Sequence, residues 1–185
     1  KCLSFDGTND YVDLGTINAP TIISFSLWIF PKTYPIGPTW KEPLRKEDSY
    51  HVSFIGDGHK INPSTLDVGV KISGVAKGVK IPNSQIPLNK WKHIVLTADG
   101  SNVKVFLDGS QYGSSVSYSG SIGNTSANHV FVGTYGTTAP SLNRWFDGLI
   151  DEVRIYNHAL SAQEIYDLYR STPSSCNAIN FGINF

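Results

Sequence analysis

The sequence predicts an all-β protein, a two-sheet antiparallel sandwich of the jelly-roll kind with one short C-terminal helix. Apolar and polar residues alternate with period two through much of the chain, the pattern of strands with one buried face. Turn-forming pairs punctuate these runs. The composition agrees, with 17 Gly, 9 Tyr, 9 Phe and 4 Trp beside only 4 Glu, which favours strands and tight turns over surface helices.

Each element follows from local pattern. Ile23-Ser24-Phe25-Ser26-Leu27 and Val103-Lys104-Val105-Phe106-Leu107 alternate strictly. Asp57-Gly58, Asp99-Gly100, Asp108-Gly109 and Ile122-Gly123-Asn124 supply residues that tolerate positive φ, and Asp108-Gly109 predicts a hairpin. Tyr34 to Ser49 carries Pro35, Pro38, Pro43 and many charges, a composition expected of a long surface loop because proline cannot donate to a central ladder. Gly113 to Asn128 is a second loop candidate. Ser161 and Glu164 form a capping-box pattern ahead of Ile165, Leu168 and Tyr169, so a short amphipathic helix is expected over 162–170. After Pro173, Ile179, Phe181, Ile183 and Phe185 alternate as a last strand or a docking tail. The expected organisation is one domain over 1–185, with a core at about 3–170 and a tail at 171–185.

Composition also narrows the class of partner. The 15 basic and 15 acidic residues cancel, so no net field draws the chain to nucleic acid or an anionic membrane. The apolar stretch around Ile22 to Phe30 is broken by Ser24 and Ser26 and is far short of the ~20 residues that span a bilayer. Lys1 opens the chain without a leader, as in a processed or excised piece. The two cysteines, Cys2 and Cys176, lie at opposite ends. Paired, they form a staple that stabilises by roughly 5 kcal/mol in the chain-entropy model; two unpaired thiols are the alternative.

Four segments in order carry a family resemblance: 3–12 (LSFDGTNDYV), 25–29 (FSLWI), 90–95 (KWKHIV) with 105–109 (VFLDG), and 146–161 (FDGLIDEVRIYNHALS). Together they resemble the laminin-G-like branch of the concanavalin A-like lectin/glucanase superfamily, over almost the whole chain. The resemblance implies a two-sheet jelly roll whose first strand lies near its last, which favours the Cys2–Cys176 pairing. It also implies that Trp28 and Trp91 are buried between the sheets, and that the chain works outside the cell or at its surface.

Many members of that family hold calcium near the first and last motifs. The resemblance therefore implies one structural Ca²⁺ on Asp6, Asn9 and Asp151, completed by backbone oxygens. Asp151 sits where the alternation of Ile150, Val153 and Ile155 slips phase, the mark of a bulge. The alternative is that Asp6 and Asp10 bond to turn amides and Asp151 makes a local ion pair.

Hydrolytic chemistry lacks its residue pattern. Glucanases of the superfamily place carboxylates on alternate strand residues, and none of Glu42, Glu47, Glu152 and Glu164 has a carboxylate two residues away. The five histidines show no zinc spacing, and no nucleophile elbow or phosphate loop occurs. Asn124-Thr125-Ser126 matches a glycosylation acceptor and is assigned no role.

Sugar binding requires aromatic faces with polar groups beside them. Trp40, Tyr34, Tyr50, His51, Arg144 and Trp145 fit that requirement, Trp40 and Trp145 best, because both fall outside the family's usual buried tryptophans. Packing of a loop onto the rim is the competing role for each. The expected function is a non-catalytic, lectin-like carbohydrate-binding module for a glycan or glycoprotein, serving adhesion or glycan targeting. A protein-interaction or structural module is the alternative, and a glycoside hydrolase comes last.

Overall fold

Apolar residues two apart on a strand point to one side, and here they face each other across two sheets. The computed structural model describes residues 2–18, 20–60, 63–124, 126–140 and 144–171, and the backbone of 178–180. Strands are numbered in chain order. One sheet has seven, in the spatial order β10 (Ser110–Ser117), β9 (Asn102–Leu107), β8 (Lys92–Ala98), β3 (Ile23–Pro31), β12 (Asp147–Tyr156), β1 (Cys2–Asp6) and β13 (Ala178–Asn180). The other has six, in the order β2 (Val12–Asp13), β11 (Val130–Val132), β4 (Trp40–Lys46), β5 (Tyr50–Ile55), β6 (Thr65–Ile72) and β7 (Val75–Pro82). Neighbours are antiparallel except β1 and β13, which run parallel. The result is the jelly-roll sandwich that the alternation predicts.

Phe25, Leu27 and Ile29 of β3 enter one buried cluster with Leu44, Val52, Phe54, Leu66 and Val68 of the facing sheet. Parity then places Ser24, Ser26, Trp28 and Phe30 on the outer face of the seven-stranded sheet. This corrects the expected position of the two family tryptophans. Trp28 is buried, but beneath the helix rather than between the sheets, stacked on His93 at 4.9 Å and Tyr169 at 5.7 Å. Trp91 lies against Phe30 of the same outer face, with ring centroids 5.5 Å apart.

The helix α1 (Ala162–Arg170) begins where the capping box predicts. Ser161 N–H donates to Glu164 Oε2 at 2.8 Å, and Glu164 N–H donates back to Ser161 Oγ at 3.3 Å. Its Ile165 is buried with Val95, Phe106 and Leu160, so α1 roofs the outer face of the seven-stranded sheet. The β9–β10 turn runs through Asp108 and Gly109, both at positive φ, and a Cβ at Gly109 would come within 2.9 Å of the Tyr169 ring.

Two loop expectations need correction. Tyr34 to Ser49 is not one loop, because its second half is β4, an interior strand between β11 and β5. The register steps from Lys41↔Phe54 to Leu44↔Val52, which inserts one extra residue and makes a bulge at Glu42-Pro43. A bulge is where a sheet tolerates proline, and the Pro43 carbonyl still accepts from Gly133 N–H at 3.0 Å. The second loop candidate starts late, since β10 continues to Ser117.

The first strand lies beside the last two described strands, as the family implies. Leu3 pairs with Ile150, and Cys2 with Ala178. Cys2 is buried, whereas Cys176, Phe181, Ile183 and Phe185 lie outside the described residues. Among the described residues, no helix is long and apolar enough to cross a membrane.

Candidate functional site

The remaining loop, residues 32–39, meets the start of β4 and the residues before β12 at one end of the sandwich. There, Thr33, Tyr34, Ile36, Trp40, Lys41 and Trp145 line an open groove of about 390 Å³. Three of the six expected ligand residues thus share the groove, Tyr34 and Trp40 from one stretch of chain and Trp145 from a distant one. Tyr34 is held rigidly: its hydroxyl donates to the Asn83 and Ile86 carbonyls at 3.1 and 2.8 Å, and its ring packs on Phe54. Burial raises the Tyr34 pKa above its ordinary value, with the backbone at Leu88 opposing. Trp145 leans on Tyr11 with ring centroids 6.0 Å apart. Ile36 stands 81% exposed at the rim.

Arg144 touches the groove from behind. Its guanidinium carbon lies 4.5 Å from the Trp40 ring centre and 4.3 Å from that of Tyr135, two cation–π contacts that fix the indole. Nη1 of Arg144 is 3.2 Å from Glu42 Oε1. Arg45 reaches the same oxygen at 3.4 Å and Glu47 at 2.6 Å, while the Ser53 hydroxyl donates to the other Glu42 oxygen. Glu42, which is fully buried, anchors this network. Sequence reasoning missed it because, beyond the nearby Arg45, its partners are Ser53 of β5 and Arg144, 102 residues away, and because the bulge hides the parity that would have revealed a shared face.

Tyr50 and His51 do not belong to the groove. Tyr50 is 1% exposed and packs on Phe25 between the sheets, with burial raising its pKa; this corrects the expectation that it meets ligand. In β5 the alternation points Tyr50, Val52 and Phe54 inward, which sends His51 to the outer face. There His51 Nε2 lies 3.6 Å from Asp67 Oδ1. Burial raises the Asp67 pKa, but His51 and Lys80 outweigh it and hold the carboxyl below its usual value.

The calcium residues do not form one donor set. Asp6 Oδ1 accepts from Thr8 N–H at 2.8 Å and Asn9 N–H at 3.4 Å, and Asp10 Oδ2 accepts from Asp6 N–H at 2.9 Å. Those are the turn-amide bonds of the alternative. Antiparallel register sets Asp6 opposite Asp147, and Asp151 lies four residues farther along β12, about 13 Å at the strand rise. Its carboxylate accepts from Glu152 N–H at 2.9 Å. The phase slip is real, since the β12 register shifts between Asp151 and Arg154. It turns Asp151 to its own backbone rather than toward Asp6. Among the described residues, no three His, Cys, Asp or Glu side chains converge as a metal site.

Two jelly-roll sheets, a capped helix over one of them and an aromatic groove at one end define a lectin-like sandwich. The chain belongs to the concanavalin A-like lectin/glucanases superfamily, through a laminin-G family model that matches residues 6–166. Among solved structures it is similar to a heptameric SAP-like pentraxin from Limulus polyphemus, with 18% identity, TM-score 0.64, and coverage of 96% of this chain and 83% of that one. A carbohydrate-binding module (CBM40) of a Ruminococcus gnavus IT-sialidase, bound to α2,3-sialyllactose, matches with 13% identity, TM-score 0.70, and 91% and 96% coverage. A putative carbohydrate-binding protein from Bacteroides ovatus matches with 16% identity and TM-score 0.68 over 90% of this chain, which spans only 46% of that one. At such identities the likeness is one of fold. A search of curated proteins found no relative by sequence.

Proposed function

We propose that this chain is a non-catalytic, lectin-like module that binds a glycan or glycoprotein in the groove between Trp40 and Trp145. The observation that carries this reading is the convergence of Tyr34 and Trp40, from one loop and the strand that follows it, with Trp145, from a distant stretch of chain, and with Thr33 and Lys41 in one open groove. Aromatic surface serves the apolar face of a sugar ring, and hydroxyl and ammonium groups serve its hydroxyls. Binding domains among the structural neighbours support the same class. Binding without turnover is supported by Glu42, whose two oxygens are already engaged by Arg45, Arg144 and Ser53. The module works outside the cell or at its surface, in adhesion or glycan targeting. A Cys2–Cys176 disulfide belongs to this reading, because Cys2 pairs in register with Ala178, two positions from Cys176.

A glycan array followed by calorimetry tests the proposal. Trp40→Ala and Trp145→Ala are expected to weaken the best glycan at least tenfold with the fold intact by circular dichroism. Unchanged binding in both variants would move the site elsewhere. Exposed Ile36 favours a second reading, in which the same rim contacts a protein. In that case Ile36→Asp abolishes capture of the protein partner while the array stays blank.

A further inference from the structure

We infer that the groove selects uncharged sugars over sugars carrying carboxylate or sulfate. This rests on the glycan-binding reading and concerns the charges at that same groove.

A site for an acidic sugar needs a cation whose charge is not already matched. Among the described residues, Lys41 is the cation that lines the groove and Arg144 stands behind Trp40, and each already faces a carboxylate. Lys41 Nζ donates to Thr33 Oγ1 at 2.7 Å, and that hydroxyl donates to Asp147 Oδ2 at 2.7 Å. Burial lowers the Lys41 pKa and Asp147 raises it in opposition, so the two charges interact through the Thr33 bridge. Arg144, behind Trp40, is paired with the buried Glu42 at 3.2 Å. Beside the rim residue Ile36, Gly37 N–H donates to Asp57 at 2.7 Å, which adds another negative charge.

A sugar carboxylate reaching Lys41 also meets the charge of Asp147, which Thr33 bridges to it, while buried Glu42 already offsets Arg144. A sugar hydroxyl faces no such conflict, because it both donates and accepts. Lys41 has three donors and spends one on Thr33, and the Thr33 oxygen has a second lone pair. The Lys41–Thr33–Asp147 chain is therefore suited to a neutral polyol. Among the fold neighbours, the module bound to α2,3-sialyllactose marks the opposite preference that this scaffold can display.

The test compares two sets of probes on the whole chain. One holds neutral cello-, xylo-, manno- and galacto-oligosaccharides, and the other holds oligogalacturonides, sulfated chondroitin fragments and 3′-sialyllactose. The expected result is binding from the neutral set, at least about tenfold tighter than any acidic probe, and unchanged between roughly 50 and 500 mM NaCl because no ion pair is screened. Asp147→Asn keeps the Thr33 acceptor but removes the countercharge, and it is expected to raise acidic-probe affinity by about threefold or more at low salt. Tight, salt-sensitive binding of acidic probes by the unmodified protein overturns the inference and leaves glycan binding standing. Silence from both sets overturns glycan binding itself.

Discussion

Glu42 and His93 illustrate how single buried polar groups carry this molecule. The Glu42 carboxylate holds Arg45 and Arg144 in place, and removing one member of a buried ionic network strands the others. Glu42→Ala is expected to lose about 3 kcal/mol in urea titration and to loosen Trp40 through Arg144. His93 is buried between Trp28 and Ser26, with its Nε2 2.8 Å from the Ser26 hydroxyl. Burial, followed by the opposing pull of Asp108 and the repulsion of Arg154, lowers its pKa to about 4 from 6.5. The unfolded chain takes up the proton first as pH falls, so stability is full above pH 6.5, declines by about 3 kcal/mol between pH 6.5 and 4, and levels below that. His93→Gln should flatten that part of the curve. Neither role was legible in the sequence, since both depend on partners that strand pairing brings together from far apart.

At the scale of elements, local signals read well where a structure is made by neighbours in sequence. The capping box fixed the start of α1, Asp108-Gly109 gave its hairpin, and the slipped alternation around Asp151 marked a true bulge. Local signals misled where sheet pairing overrode them. The prolines that suggested a loop over residues 34–49 conceal β4, because Pro43 sits at a bulge inside the sheet. Tyr50 looked like a rim aromatic because it follows that charged stretch, yet strand parity sends it inward. Trp28 is buried as its apolar strand predicts, but a helix rather than the second sheet covers it. Two substitutions test how firmly α1 is seated. Ser161→Ala should cost about 1 kcal/mol through the lost cap. Gly109→Ala should cost more, because it combines a positive φ with contact against Tyr169.

For the whole molecule, one core closed by both sheets leaves β1 beside β12 and β13 and the groove at one end. A disulfide between Cys2 and Cys176 would lock that closure. Denatured, unreduced protein is then expected to show no free thiol, and reduction should lower stability by up to about 5 kcal/mol. Because Asp151 lies four residues along β12 from Asp147, the residue opposite Asp6, EDTA is expected to leave Tm unchanged. A fall in Tm that added Ca²⁺ restores would mean that a different donor set holds the metal. Family and sandwich could be read from four short motifs, but the groove could be read only in part. Trp40, Tyr34 and Trp145 stood out as aromatics beyond the usual core, whereas Lys41 and Thr33 carry no pattern that distinguishes them from other polar residues.

The four tryptophans provide the most direct test of the groove as a glycan site, because Trp40 and Trp145 line it while Trp28 and Trp91 lie on the helix-covered sheet face. Their indole N–H resonances can be followed by two-dimensional NMR during titration with the tightest oligosaccharide from the array. The signals of Trp40 and Trp145 are expected to move in a saturable way while those of Trp28 and Trp91 stay in place. Saturable binding that moves Trp28 or Trp91 and leaves Trp40 and Trp145 unshifted would contradict the assignment.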